Sequence, residues 1–230
     1  MRRSIAVAAS VLAGSLAAAA AAQSPPTVAP LLPCYVTAGP DVTQRELVNI
    51  DAQNLTKNGT ATVAIDGAVI QNDAAIDPMG ALRGSVPAPF QASGQRLFTL
   101  SITDNTNPGL AVSAQSLVSA IDVKVRPANA RPSRRVGFHG RGFTKGPAVY
   151  AHYLRKGKLR KTVLLATPTG PCGTFAVRRR LLPVRRPKTG RWIVQIDHDR
   201  SWSRTPSVSV QLTIDVTRSP GIGTRSRVPS

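Results

Sequence analysis

From Val208 to Val216 every second residue is apolar: Val208, Val210, Leu212, Ile214 and Val216 alternate with Ser209, Gln211, Thr213 and Asp215. A period of two puts one side of a strand on a core and the other in water. Shorter runs repeat the theme. "TATVAID", "RLFTLSITD", "AVYAHYL", "KTVLLAT" and "RWIVQID" are rich in β-branched and aromatic residues and are bounded by Gly, Pro, Asn or Asp, which predicts strands separated by tight turns. Beyond the first two dozen residues no stretch sustains a helical period, so the expected class is all-β.

The pattern occurs twice. "VNIDAQNLTK" from Val48 lies over "VGFHGRGFTK" from Val136, with apolar residues at the first, third and eighth places and Thr-Lys at the end. Downstream, Gly80 and Leu82 match Gly173 and Phe175, Pro87 matches Pro183, and "GQRLFTLSITD" from Gly94 matches "GRWIVQIDHD" from Gly190. The triplets Ile121-Asp122-Val123 and Ile214-Asp215-Val216 close the two copies. Repetition at roughly ninety residues predicts two tandem β-sandwich domains, here placed at 34–125 and 126–217. Residues 23–33 read as a linker and 218–230 as a disordered tail.

The stretch "FHGRGFTKG", 138–146, carries three glycines and a lysine, as a phosphate-cradling loop does. Such a loop needs a helix behind it, whose free N–H groups converge on the anion. Pro147 and the β-rich run beyond predict a hairpin with its turn at Lys156-Gly157 instead. The sibling copy has Asn54 and Leu55 where this one has Gly142 and Phe143. The glycines therefore read as a strand end and tight turn, with Phe143 plugging the core.

These same segments carry a resemblance. "GRGFTKG" followed by "VYAHY", then "GPCGTFAVRRR" and "RRPKTGRWIVQID", resembles the secreted tandem proteins of high-GC Gram-positive bacteria built from immunoglobulin-like domains with a "GxGFxxG" turn. The resemblance spans nearly all of the chain after its first two dozen residues. It implies an immunoglobulin-like β-sandwich in each copy, a place outside the cytoplasm, and neither an activity nor site residues to carry over. The pair of cysteines that antibody domains hold within one sandwich is missing.

The first residues agree with export. Arg2 and Arg3, an uncharged stretch from Ile5 and the small-x-small site Ala20–Ala22 read as a signal peptide over 1–22, with no transmembrane segment in the mature chain. The alternative is a retained anchor, since the uncharged run is nearly long enough to span a bilayer. An oxidising compartment permits a disulfide between Cys34 and Cys172, although sequence leaves bridge and free thiols equally open.

Charge separates the copies. Residues 24–125 hold five basic and eight acidic side chains, a net of −3, whereas 126–217 hold twenty and three, a net of +17. GC-rich coding would enrich Arg in both, so base composition is not the cause. Two clusters dominate: Arg155, Lys156, Lys158, Arg160 and Lys161 on the hairpin, and Arg178, Arg179, Arg180, Arg185, Arg186, Lys188 and Arg191 along "VRRRLLPVRRPKTGR". Arg179 falls on the inward phase of its strand, so a bend or bulge is expected to turn it out. Together the clusters predict a polyanion-binding face.

Aromatic platforms for nucleobases are scarce, with only Trp202 placed to touch a ligand from a loop, so anionic envelope polymers or phospholipid head groups are favoured over nucleic acid. The competing expectation is a spacer that meets a protein partner, with charge serving solubility. His139, His152 and His198 are scattered, no Cys or His spacing suits zinc, and no nucleophile elbow occurs, so neither catalysis nor a cofactor is expected. Asp73, Asp77, Asp104 and Asn107 read as turn residues more readily than as a calcium loop.

Overall fold

The computed structural model describes residues 24–127, 130–206, 208–216 and 224–226. The signal peptide expected over 1–22 lies outside them. The chain forms two immunoglobulin-like β-sandwiches in tandem, each a three-stranded sheet packed on a five-stranded one.

In the first sandwich β1 (Thr27–Val28), β3 (Leu47–Gln53) and β6 (Leu82–Pro87) form the small sheet in the order β1-β3-β6. The large sheet is ordered β2-β8-β7-β4-β5, from β2 (Cys34–Thr37), β8 (Ala111–Ala120), β7 (Gln95–Asp104), β4 (Thr60–Ile65) and β5 (Ala68–Ala75). The second sandwich repeats the plan. Its small sheet is ordered β13-β10-β9, from β13 (Phe175–Arg180), β10 (Arg135–Arg141) and β9 (Asp122–Arg126). Its large sheet runs β12 (Lys158–Ala166), β11 (Val149–Arg155), β14 (Gly190–Asp197), β15 (Val210–Val216) and β16 (Thr224–Ser226).

Alternation builds each core. On β7 the inward residues Phe98, Leu100 and Ile102 are buried, and they meet Val48, Ile50 and Val118 from neighbouring strands. On β14 the same phase buries Trp192, Val194 and Ile196 against Phe138, Tyr153 and Ile214.

Strand register shows how far the repeat extends. Ala52 stands opposite Leu82 and Gly140 opposite Phe175, so the pairs exchange volume between partners. A Cβ on Gly140 would lie 2.3 Å from the Phe175 ring, so the larger partner requires the glycine. Asn54 and Gly142 both take a left-handed φ, 64° and 80°, and so do Gly80 and Gly173. The turn bonds match as well: Leu55 N–H donates to Gly80 O at 3.0 Å and Phe143 N–H to Gly173 O at 3.1 Å. Both adjacent hairpins turn on two residues of positive φ, Asp66-Gly67 and Lys156-Gly157, the backbone that fits the twist of a tight hairpin.

Register also corrects part of the sequence alignment. Ala120 N–H donates to Gly94 O, whereas Val216 stands opposite Gly190. The counterpart of Val216 is therefore Ala120, and the triplet Ile121-Asp122-Val123 is not the equivalent of Ile214-Asp215-Val216. It opens β9 instead, which pairs with β10 and sends Val123 into the second core. Short apolar-acidic-apolar triplets recur in any alternating sequence, which is why this one misled. Pro87 lies opposite Leu47 and Arg180 opposite Arg135, so Pro183 is not the partner of Pro87.

The margins differ too. Thr27–Val28, within the stretch read as a linker, pairs with β3. Thr224–Ser226, within the stretch read as a disordered tail, adds a strand to β15, while the remainder of 217–230 lies outside the described residues. Beside β8 the corresponding edge position is filled by β2, in parallel.

The sandwiches meet end to end at a stapled junction. Cys34, which begins β2, and Cys172, in the turn before β13, form a disulfide with Cα atoms 5.2 Å apart and 138 positions between them in sequence. Glu46 joins the two sides: one carboxylate oxygen accepts Val36 N–H at 2.7 Å and the other meets Lys145 Nζ at 3.1 Å. A Cβ on Gly142 would sit 2.8 Å from Ile121 Cα and 2.9 Å from Ala120 O, so only glycine lets the second sandwich come this close to the connecting backbone. The glycine-rich stretch is thus the seat of one sandwich on the other, with Phe143 buried beside Phe175 and His198.

Two outcomes are expected. Gly173→Ala combines a positive φ with a Cβ 1.9 Å from Phe143 O and should cost about 3 kcal/mol or more in urea unfolding, whereas Gly157→Ala, with open space around it, should cost only about 1 kcal/mol. Replacing both cysteines by serine removes a loop-closure contribution of about 5 kcal/mol in the chain-entropy account; it should lower the melting temperature and speed hydrogen exchange at the Ile121 N–H, which donates to Thr37 O.

Candidate functional site

The two basic clusters come from different sheets, and the fold brings them together. β12 is the outer strand of the large sheet and β13 of the small one, and the two touch along one flank of the second sandwich. Arg155 Nη2 donates to Thr189 O at 2.8 Å, which draws the loop bearing Arg185, Arg186 and Lys188 to the base of the Lys156-Gly157 turn. Trp192 Nε1 fixes that loop by donating to Lys188 O at 3.0 Å. Buried Leu181 and Leu182 root it in the core.

Lys156, Lys158, Arg160, Lys161, Arg178, Arg180, Arg185, Arg186 and Lys188 are all exposed, and Arg155 is half-buried. Among the described residues none of these ten lies within ion-pairing distance of a carboxylate; Arg191 of the second cluster pairs with Asp215, Arg141 with Asp122, and Lys145 with Glu46 across the junction. The site lies at the end of the sandwich away from that junction. Strands β10 and β13 run between the Gly142 and Gly173 turns and the Arg135 and Arg180 ends, a span of roughly 20 Å.

The bulge expected at Arg179 is absent. β13 pairs with β10 without a register shift, and Arg179 lies opposite buried Val136, yet it is exposed. An edge strand explains this, because a long side chain on the inward phase can pass around the open flank and carry its charge to water.

Sequence reasoning missed another basic surface. The outward phase of the small sheet carries Lys124 and Arg126 on β9, Arg135 and His139 on β10, and Arg178 and Arg180 on β13, all exposed. Assigning Ile121–Val123 to the first copy hid β9, and with it the alignment of Arg126, Gly137 and Arg178 across three strands.

Trp202 is not free to meet a ligand. Its Nε1 donates to Gln195 Oε1 at 3.1 Å, and Gln195 Nε2 donates to Ser203 O and to Asp197 Oδ2. These groups lie on the outward phase of the large sheet, where the β14–β15 loop covers them.

His152, fully buried, completes the network: Nε2 faces Asp197 Oδ1 at 3.1 Å and Asp199 O at 2.9 Å, while Nδ1 faces Thr162 Oγ1 at 2.9 Å. Two acceptors at Nε2 place the proton there, so Nδ1 accepts from the Thr162 hydroxyl. Hydroxyl, imidazole and carboxylate stand in line as in a nucleophile relay, but His152 and Asp197 are sealed from solvent. They hold the loop to the sheet.

Burial raises the Asp197 pKa, but hydrogen bonds from His152, Gln195 and the Asp199 N–H outweigh it and hold the carboxyl below its usual range. Asp104 in the first sandwich follows the same logic, with burial opposed by the N–H groups of Thr56, Asn107 and Thr106.

A groove of about 620 Å³ runs along the junction, with Arg45, Glu46, Asp122, Lys124, Lys145 and His198 among its lining. His198 Nδ1 faces Ala148 O at 3.1 Å, and His152 is not part of the groove. Among the described residues no group of three or more His, Cys, Asp or Glu is placed to hold a metal ion, and no helix is long and apolar enough to cross a membrane. Asp73 Oδ1 instead accepts from Thr60 and Asn105.

No protein-family model matches the sequence, and no curated protein does. Several solved structures are similar in fold. The fibronectin(III)-like modules of Clostridium thermocellum CbhA match at 11% identity over 83% of this chain and 93% of that one, with a TM-score of 0.25. Rst D1-D2 matches at 12% identity over 84% and 99%, with a TM-score of 0.30. SGBP-B of the Bacteroides ovatus mixed-linkage glucan utilization locus, solved with a mixed-linkage heptasaccharide, matches at 10% identity over 87% and 47%, with a TM-score of 0.25. Likeness at this level carries no functional argument.

An acid titration tests the buried network. A carboxyl depressed in the folded state stabilises fully above its unfolded value near ~3.9, and that contribution is lost as pH falls through the folded value. Stability should therefore be flat above about pH 5 and fall below about pH 4. Asp197→Asn should make that fall shallower while costing about 2 kcal/mol at neutral pH, because one of its donors loses its acceptor.

Proposed function

We propose that this chain is an exported, non-catalytic binding protein whose second sandwich associates with an anionic cell-envelope polymer or phospholipid surface through Arg and Lys. The observation that carries the reading is the convergence of both clusters on one flank, where among the described residues Arg191 is the one member within ion-pairing distance of a carboxylate. Mutual repulsion among these cations destabilises the fold, and a counter-charged partner offsets it. Neutralisation would release counterions, so affinity should depend steeply on salt. The resemblance to secreted tandem proteins of high-GC Gram-positive bacteria and the N-terminal residues favour a place at the cell wall or membrane surface over any contact with the genome.

The contrast between copies supports the proposal. The matching flank of the first sandwich, β5 against β6, carries Arg83 as its one basic side chain, and Arg83 lies 3.8 Å from Asp51. Cations on outer strands also deter edge-to-edge aggregation, but β5 dispenses with them although Val69 and Ile70 are exposed on it.

That open β5 edge favours a second reading, in which the first sandwich meets a protein partner and the chain acts as an adhesive spacer. The two are separated by binding to an anionic polymer column. The proposal expects retention that falls about a hundredfold in affinity between 50 and 200 mM salt, and clear loss of retention when Arg178, Arg179 and Arg180 become Gln. Equal elution of the chain and this variant would favour the spacer.

A further inference from the structure

Four glycines lie in and around β10, and three have visible structural work. Phe175 fills the space over Gly140, the connecting backbone presses on Gly142, and the His198 ring lies 3.1 Å from a Cβ on Gly146. Gly137 differs in that its near neighbour, the His139 ring, belongs to an exposed side chain that can swing aside. Its φ is not in the left-handed region and its ladders to β9 and β13 run without a shift. The atoms nearest to a Cβ there are Nε2 of the exposed His139 at 3.0 Å, which would have to shift, and Arg126 O at 3.5 Å. Glycine weakens a strand interior, and without a bulge or bend it marks a place where something approaches closely.

What surrounds Gly137 is cationic. Arg126 and Arg178 flank it on the neighbouring strands, and Arg135 and His139 flank it along its own. Lys124 and Arg180 extend the two outer rows. Arg135 and Arg180 stand directly opposite one another, an arrangement that is unfavourable in a sheet unless another charge intervenes. Arg135 Nη2 donates to Arg178 O at 3.1 Å, which holds that guanidinium over the sheet. Asp122, at the far end of β9, is engaged by Arg141 at 3.3 Å.

The rows of Arg126 and Arg178 are two strand spacings apart, roughly 10 Å, and the cations within a row recur every two residues, roughly 7 Å. With the His139 ring swung aside, these positions would form a shallow trough with a glycine floor and basic walls. Guanidinium groups, four against one ammonium here, suit the paired oxygens of a phosphate better than a lone carboxylate oxygen.

We infer that the outer face of the small sheet of the second sandwich is a docking track for a single extended phosphodiester polymer, with one phosphate seated over Gly137 between Arg126 and Arg178. This rests on the polyanion reading above and names both the ligand chemistry and the surface. A flat lipid surface would touch the tips of the cations and would not need the recess.

The test is a calorimetric titration of the full chain with poly(glycerol phosphate) at low salt, with polyglutamate of equal charge and phosphatidylglycerol vesicles as parallel arms. Gly137→Val fills the floor without changing charge and should weaken binding to the phosphate polymer about tenfold or more, a loss of about 1.4 kcal/mol. Polyglutamate should bind more weakly than the phosphate polymer, and vesicle binding should not respond to Gly137→Val. Arg126→Gln, at an exposed strand end, should also weaken the polymer and carries the test if the valine variant misfolds.

Unchanged polymer affinity in a folded Gly137→Val variant overturns the track, as does unchanged affinity in Arg126→Gln. If Lys158, Arg160 and Lys161 changed together to Gln reduce binding while those two do not, the track fails and the flank reading stands. If neither the polymers nor the vesicles bind, both fail.

Discussion

The structure depends on the closeness of its two sandwiches at the junction. Gly142 has no side chain because the backbone at Ala120 and Ile121 occupies that space, and Cys34–Cys172 ties the first edge strand of one sandwich to a turn of the other. The Lys145–Glu46 pair adds a polar contact whose carboxylate also holds a backbone N–H of β2. Covalent closure across 138 positions mainly removes freedom from the unfolded chain. Its structural effect is separate: the end of the second sandwich that carries Arg135, Arg180 and the hairpin turn points away from the first.

That polarity gives the charge asymmetry a spatial meaning. Cations confined to one flank and one face of a small domain repel one another, and the cost rises with their density. The first sandwich shares the strand plan but ties its exposed charges locally, as with Arg96 and Asp66 at 2.6 Å. In the second, three of the acidic residues are used for structure: Asp197 holds the β14–β15 loop, Asp122 meets Arg141 and Asp215 meets Arg191. Among the described residues Arg191 is the one cluster cation so paired, so local neutralisation does not relieve the rest of the flank.

Much of the fold was legible because it rests on local rules. Alternation marked the strands, and the repeat was visible wherever both copies needed the same special backbone, as at Asn54 and Gly142 or Gly80 and Gly173. Boundaries were lost where the pattern has no such marker. Ile121-Asp122-Val123 reads like a strand end although it begins one, and only hydrogen bonding to β10 reveals this. The site was legible as composition but not as a surface. The hairpin and the "VRRR" strand are joined by edge contact between sheets, Arg179 escapes around an edge, and the buried His152–Asp197 network links residues 45 positions apart beneath a loop. Nothing in the spacing of one strand reports the loop that covers it.

The five-stranded sheets show how one architecture sets different fates for equivalent faces. In the second sandwich the outward side at His152 and Gln195 is buried because Trp202 and its loop lie over it, and every polar group named there has a partner. In the first sandwich the outward rows Thr62–Thr103, Ala64–Ser101 and Thr99–Gln115 are half-buried or exposed, and are neutral and small. The loop covers the large sheet of the second sandwich around His152 and Gln195, while the outward Lys and Arg positions of its small sheet are all exposed. The stapled junction leaves the distal end of that basic face, at Arg135 and Arg180, clear of the neighbouring domain.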